Sequence, residues 1–246
     1  MSCGRNARFM KPEDWTIYTA KLKHQAITYS SPATIVPMVV NAHSLSDEER
    51  LALANEGHAF DDEGYHISQL NPFFCELTSV YWAINNSTEN YIGNAHYRRK
   101  WKDADIENSE GNVLYVSDPA YFSCTLAEQF LGGHSGFDAP AMTVGLAERG
   151  MLPFSPSEMR AVWNQKVFHG CEMARGPASH YKAFMNLLFD CLWPFWHEHR
   201  DEIEAMDGYN RRMMGFVGER MMTGLILMRE KFFDFNIMTS VVEYKP

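Results

Sequence analysis

The stretch Tyr91-Ile92-Gly93-Asn94-Ala95-His96-Tyr97-Arg98-Arg99-Lys100-Trp101 sets how the rest of the chain is read. Its first six residues read as a β-strand, and the strand runs straight into a group of cations. In open α/β sheets, ligands bind just outside the carboxyl ends of the strands. Arginine suits a phosphate there, because its planar fork makes bidentate, charge-assisted bonds. The plainer reading is an exposed basic turn paired with an acidic surface.

Outward from this stretch, strands alternate with helices. Trp15 to Ala20 and Ala33 to Val40 are rich in β-formers and read as strands, with Pro37 marking an edge or a bulge. Ser46-Asp47-Glu48-Glu49 is a capping box that opens a short helix, and Gly57 stops it. Asn71-Pro72 reads as an N-cap followed by a first-turn proline. Phe73, Leu77, Val80, Tyr81 and Ile84 then form one apolar helical stripe. Val113 to Val116 is a further strand. The region from Asp118 to Arg160 carries short helices and loops, and Val167 to Gly170 reads as a strand entering a turn. Ala178 to Ala205 is strongly helical with a bend expected at Pro194, and Arg212 to Met228 is helical again. The expectation is a single α/β domain over residues 1–246. It has a mixed central sheet flanked by helices and a helical C-terminal third.

Composition narrows the function. The chain has 246 residues, with 22 Lys+Arg against 31 Asp+Glu and a net charge of −9. That balance argues against a general nucleic-acid binder, which is normally basic. A local arginine cluster still leaves room for an anionic small ligand. Five cysteines, widely spaced and without a CxxC, argue against a zinc site or a disulfide framework. Met1 to Asn6 has no apolar segment behind it that would read as a leader. No run of 18 apolar residues occurs that would span a membrane. A cytoplasmic protein is the expectation.

Some motifs lead nowhere. Gly133-His134-Ser135-Gly136 resembles a nucleophile elbow, but Phe137 stands where the last glycine is needed. His197 and His199 are two apart on a helix, so their side chains diverge. No P-loop or Rossmann glycine pattern occurs.

Two further stretches carry candidate chemistry. Asp61-Asp62-Glu63-Gly64-Tyr65-His66-Ile67-Ser68 leads to Asn71 and Glu76. Acids beside glycine in a loop can grip the hydroxyls of a sugar or ribose, or can form a solvated acidic loop. In Met214-Gly215-Phe216-Val217-Gly218-Glu219-Arg220, Glu219 lies among apolar residues. Desolvation there would lift its pKa toward that of a general base. The alternative is a salt bridge to Arg220 or to a nearby lysine.

Taken in order, these blocks resemble a family of capsular and O-antigen polysaccharide biosynthesis, once described only as a domain of unknown function. One of its members is the galactofuranosyltransferase domain of a bifunctional O-antigen polymerase. The similarity begins at Thr16-Ile17-Tyr18 and continues through Asp61 to Gly64. It is strongest over Asn71-Pro72-Phe73-Phe74-Cys75-Glu76-Leu77-Thr78, and runs on through His96-Tyr97-Arg98-Arg99, Tyr181, Leu192-Trp193-Pro194 and Gly215 to Met221. This chain departs from the family at four places. Ala20-Lys21-Leu22-Lys23 replaces Thr-His-Lys, His66 replaces Asn, Gly218 replaces Ser, and Lys100-Trp101 replaces Tyr-Phe.

The resemblance implies a GT-A-like glycosyltransferase. It would take a nucleotide sugar, with UDP-galactofuranose the best candidate, and invert to a β-linkage. His96, Tyr97, Arg98 and Arg99 then stand where many GT-A enzymes carry a metal-binding Asp-x-Asp, and would hold the donor diphosphate. Glu219 would be the base. Thr19, Asp61, Asp62, His66, Asn71, Glu76 and Arg220 would contact the sugar or nucleotide. No metal ligand or other cofactor is assigned, and Mn²⁺ or Mg²⁺ remains the alternative to a metal-free reaction. The partners implied are a nucleotide-sugar donor and a glycan acceptor, often lipid-linked in such pathways, which places the work at the inner face of the cell membrane. Competing readings are a transferase for a pyranose sugar, a catalytically silent nucleotide-sugar-binding module of an assembly complex, and a structural protein without a ligand.

Overall fold

The computed structural model describes residues 10–134 and 137–245. The start of the chain read for a leader, with Cys3, lies outside the described residues, as do Ser135 and Gly136 of the elbow-like run.

In the first half, β1 (Thr16–Lys21), β2 (Thr34–Val39), α1 (Asp47–Asn55) and β3 (Ala59–Phe60) are followed by α2 (Asn71–Phe74), α3 (Leu77–Asn86), β4 (Tyr91–His96), β5 (Arg99–Trp101), α4 (Asp103–Glu107) and β6 (Val113–Ser117). The second half holds β7 (Ala120–Tyr121), α5 (Leu126–Gly133), α6 (Ala139–Glu148), α7 (Pro156–Trp163), β8 (Val167–Phe168) and β9 (Ala174–Pro177). It continues with α8 (Ala178–Glu204), α9 (Met213–Leu227), α10 (Arg229–Phe232), β10 (Asn236–Ser240) and β11 (Val242–Tyr244).

A nine-stranded mixed sheet runs in the order β10-β6-β9-β4-β1-β2-β3, with β5 pairing β4 and β11 pairing β5. Strand β1 is parallel to both β2 and β4. Strand β9 is antiparallel to β4 and to β6, so β4 and β6 point the same way. The carboxyl ends of β1, β2, β4 and β6 therefore share one edge, and β9 enters the sheet from that edge. Strands β1 and β6 are buried almost throughout, as expected of strands covered on both faces. At Pro37, β2 is an edge, because β3 pairs only from Met38 onward.

One face of the sheet carries the large apolar core, in which Phe73 and Phe74 pack against Trp196, and Phe74 also against Trp193. The other face carries a smaller core with Trp15, Ile17, Ala95 and Trp101. Arg175 on β9 is fully buried, 4.3 Å over the Tyr115 ring and 5.2 Å from both Trp15 and Trp101. It donates to Ser109 Oγ at 2.5 Å, the Asp105 carbonyl at 3.0 Å and Ser240 Oγ at 3.2 Å, and so ties β9 to α4 and β10.

The capping box at Ser46 and the helix over Ala178–Glu204 follow the sequence pattern, and α8 carries Pro194 in its interior. Two expectations need correction. The helix expected from Asn71 onward is two helices, broken at Cys75, where φ is +52°. Asn71 is inside α2 rather than its cap, and its Nδ2 donates forward to the Cys75 carbonyl (2.7 Å) and to Thr78 Oγ1 (3.1 Å). The C-terminal third is helical as expected, and after its helices β10 adds to β6 in parallel and β11 adds to β5.

Candidate active site

A cleft of about 340 Å³ opens at the shared carboxyl edge of β1, β2 and β4. Ala20 and Lys21 end β1 there, Val40 follows β2, and His96 ends β4. The opposite wall comes from the break between α2 and α3, with Asn71, Cys75 and Glu76, and from Arg212 ahead of α9.

The Arg-rich stretch is a hairpin rather than an open loop, since His96 pairs with Arg99 across the turn Tyr97-Arg98. That turn is tied to its surroundings. The Tyr97 N–H donates to the Ala20 carbonyl at 3.0 Å, and Tyr29 Oη donates to the His96 and Arg99 carbonyls at 3.3 Å each. Arg98 is exposed and stacks over Tyr97 at 4.9 Å. Arg99 is half-buried, and its charge reaches Glu219 and His96. The three cations separate here. Lys100 is buried and bonded to Asp103 at 2.8 Å and to the Ser30 carbonyl, away from the cleft. Trp101 is likewise core, with its Nε1 donating to the Asn94 carbonyl at 3.0 Å. His96 is pushed down to about 4, chiefly by burial and further by Arg99, Arg98 and Arg212, against the opposing pull of Glu76. It is therefore a neutral imidazole at neutral pH.

Behind the Cys75–Arg212 wall lies a group of carboxylates. Helix α9 is buried all round, and of Met213–Leu227 only Glu219 and Leu227 are not fully buried. Glu219 Oε1 accepts from the Cys171 N–H at 2.8 Å, and Oε2 accepts from Arg220 Nη1 at 3.0 Å. Burial raises the Glu219 pKa; Arg220 and the Cys171 hydrogen bond oppose the rise. Arg220 is engaged within the protein through both Nη atoms, while its buried Nε has no partner among the described residues. It bonds Glu219, the Phe216 carbonyl and Gln129, and stacks over Phe168 at 4.7 Å. Phe216 stacks on His134 at 4.1 Å and packs against Tyr209. Arg212 donates from Nε to Cys75 Sγ at 3.0 Å and lies 3.9 Å from Glu76. Burial pushes the Cys75 thiol up to about 12, so it stays protonated.

The remaining expected residues divide. Asn71 and Glu76 line the cleft. Thr19 is fully buried with its hydroxyl 3.3 Å from Tyr29 Oη. Asp61 is fully buried and accepts four hydrogen bonds, from the Asn41 and Ala42 N–H groups and the Ser68 and Thr78 hydroxyls. It is a latch between the end of β2, the loop after β3 and α3. Asp62 pairs with Arg50; among the described residues its Oδ1 has no partner, and His66 Nδ1 is also buried without one.

Sequence reasoning passed over Cys171, Glu172, Arg212 and Lys21 as site residues. Cys171 and Glu172 are consecutive non-glycine residues with φ of +73° and +42°, a strained pair that enters β9 beside Glu219. The sequence announces a turn after Gly170, but not the left-handed pair of non-glycine residues in it. Arg212 could have been found from the Arg211-Arg212 pair opening a helix. Lys21 Nζ is 2.9 Å from His58 Nε2. His58 Nδ1 in turn lies 3.0 Å from the Leu53 carbonyl, so the ring bridges Lys21 and the end of α1. Among the described residues no group of three His, Cys, Asp or Glu side chains is placed to hold a metal ion. No helix of the described residues is long and apolar enough to cross a membrane.

An α/β sheet of this order, with its cleft at the carboxyl edge and helices massed after it, is a GT-A-like fold. The chain is similar to the apo structure of WbbM, a bifunctional glycosyltransferase, with a TM-score of 0.70 over 94% of this chain at 19% identity. The match spans 45% of the WbbM chain. Residues 16–120, from β1 into β7, match a family described as a domain of unknown function, DUF4422. No curated protein matches the chain.

Proposed function

We propose that this protein is an inverting glycosyltransferase of polysaccharide synthesis, with UDP-galactofuranose as its best candidate donor and a glycan hydroxyl as acceptor. The observation that carries the reading is the position of Glu219. It is a carboxylate left partly open on a largely buried helix, backed by Arg220 and a strained turn, behind a cleft lined by Arg98 and Arg212, with Arg99 following Arg98 in the hairpin. The likeness to WbbM supports the same reading at the level of the fold.

In the reaction proposed, the acceptor oxygen attacks the anomeric carbon from the face opposite the diphosphate. The C–O bond to the diphosphate breaks as the new glycosidic bond forms, and the hydroxyl proton passes to Glu219. Arg99 and Arg98 would stabilise the charge gathering on the leaving diphosphate, a task that oriented cations perform well in a site shielded from water. Asn71 and Glu76 face the same cleft and would bind sugar or ribose hydroxyls. The cationic hairpin would do this without a divalent ion.

The test is release of UDP from UDP-galactofuranose and UDP-galactopyranose, with and without a glycan acceptor, in the presence and absence of EDTA. Acceptor-dependent release from one donor supports the reading. Donor binding without release would make the protein a silent binding module. Loss of activity in EDTA with recovery on adding Mn²⁺ would overturn the metal-free step.

A further inference from the structure

Glu172 is the most unusual side chain of the molecule outside the roles above. It is 1% exposed, its Oε1 has no hydrogen-bond partner among the described residues, and its backbone sits at φ +42° on the strained turn that also delivers the Cys171 N–H to Glu219. The carboxyl fits because residue 218 is glycine. A Cβ there would lie 2.9 Å from Glu172 Oε1. The charged groups around it come from every neighbouring element. Helix α9 supplies Glu219 and Arg220, the start of α3 supplies Glu76, and the turn before α9 supplies Arg212. The Cys75 and Cys171 thiols are close by, and Arg99 of β5 faces Glu219.

None of these cations bonds Glu172. Arg220 is committed to Glu219, Gln129 and the Phe216 carbonyl, and Arg212 to Cys75 and Glu76. An ionised carboxylate in such a place would be both desolvated and unpaired. Such groups take up a proton instead of carrying charge.

We propose that Glu172 is a positioning acid of the Glu219 site: it keeps its proton and, as a neutral neighbour, leaves Glu219 to carry the negative charge of the pair. This rests on Glu219 being the base. Burial first, and then Glu219 and Glu76, drive Glu172 well above the ordinary carboxylate range, in agreement with the geometry. Two carboxyls whose environments push their proton affinities apart can divide the roles of acid and base in this way. If Glu172 ionised at alkaline pH, it would place a second negative charge beside Glu219 and beneath the approaching diphosphate, and transfer would fall.

The first experiment needs no substrate. The infrared difference spectrum between the wild-type chain and Glu172→Gln at neutral pH is expected to contain a protonated-carboxyl carbonyl band belonging to Glu172. Carboxylate bands in its place overturn the proposal, whatever reaction the protein performs. The second is the pH profile of kcat/KM. Glu172→Ala is expected to lose at least tenfold in kcat, and Glu172→Gln to restore the neutral-pH rate to within threefold while the alkaline limb disappears. An alkaline limb that persists in Glu172→Gln, or a Gln variant as inactive as the Ala variant while melting like the wild type, overturns it. If the wild type releases UDP from no donor, the glycosyltransferase reading fails, and the infrared measurement still decides the state of Glu172.

Discussion

The backbone N–H of Cys171 donates to Glu219 Oε1 at 2.8 Å, so a turn with two left-handed residues holds the candidate base from one side while Arg220 holds it from the other. One carboxylate oxygen is thus fixed by a main-chain donor and the other by a buried guanidinium. Reorganisation of the carboxylate on catalysis would be small. Glu219→Gln keeps the shape and removes the basicity. It is expected to lower kcat by about 10²–10⁴ with the donor dissociation constant nearly unchanged. Isothermal titration with the donor, beside steady-state rates, separates the two quantities. Full activity in Glu219→Gln would place the base elsewhere.

Arg98 and Arg99 are adjacent in sequence and unequal in the fold. Arg99 is half-buried on β5 and its charge acts on Glu219 and His96, whereas Arg98 is exposed on the turn. A charged hydrogen bond is worth about 1.5–3 kcal/mol, so Arg99→Ala should weaken UDP binding roughly tenfold or more. Arg98→Ala should weaken it less. The reverse ranking in a titration would assign the diphosphate to the turn.

His96 is neutral at pH 7 because burial holds it down to about 4. A bound diphosphate would raise that value, so binding should take up a proton. Affinity for a UDP-sugar should therefore tighten as pH falls from 7 toward 5. His96→Gln should remove the trend, as read from titrations in buffers of different ionisation enthalpy. A pH-independent wild-type affinity would separate His96 from the phosphates.

Folding stability should move with pH in the opposite sense to that of an ordinary salt-bridged acid. Glu172 is raised above its unfolded value of 4.5, so the folded chain holds a proton that the unfolded chain has released. The resulting stability is complete below that value and is lost as pH rises toward the folded-state pKa, at about 1.4 kcal/mol per pH unit for one proton. Urea unfolding above pH 7, where His96 no longer titrates, should show a shallower decline in Glu172→Gln than in the wild type. Identical slopes would mean that Glu172 is ionised in the folded chain.

Asp61 was expected among the sugar ligands, and its four hydrogen bonds make it a latch. Asp61→Ala leaves buried N–H and hydroxyl groups without partners and should cost roughly 3 kcal/mol or more in urea unfolding. A variant that unfolds like the wild type but binds donor poorly would restore the ligand role.

Much of the fold was legible in the sequence, for physical reasons that differ by element. Strands β1, β4 and β6 are buried on both faces and so announce themselves as short apolar runs. Helix α1 is announced by the reciprocal bonds of its capping box. Strands β9, β10 and β11 carry no such pattern. Strand β9 contains Arg175 and ends in Gly176-Pro177, and β10 is an exposed edge; both gain their structure from long-range pairing rather than local preference. The site was legible in part for the same reason. The hairpin arginines and Glu219 sit in distinctive local runs. Glu172, by contrast, matters only because β9 carries it to α9, and Cys75 because Arg212 crosses from another element to meet it.

The last strand has a consequence for how the molecule is made. Tyr244 pairs with Arg99, and the Lys245 N–H donates to the Arg98 carbonyl at 2.7 Å. The two arginines leave the ribosome long before the residues that brace them. A nascent chain can build β1, β2 and β4 early, yet its cationic hairpin stays half-framed until translation has passed residue 245. The frame of the hairpin is thereby completed only once this region has been made in full.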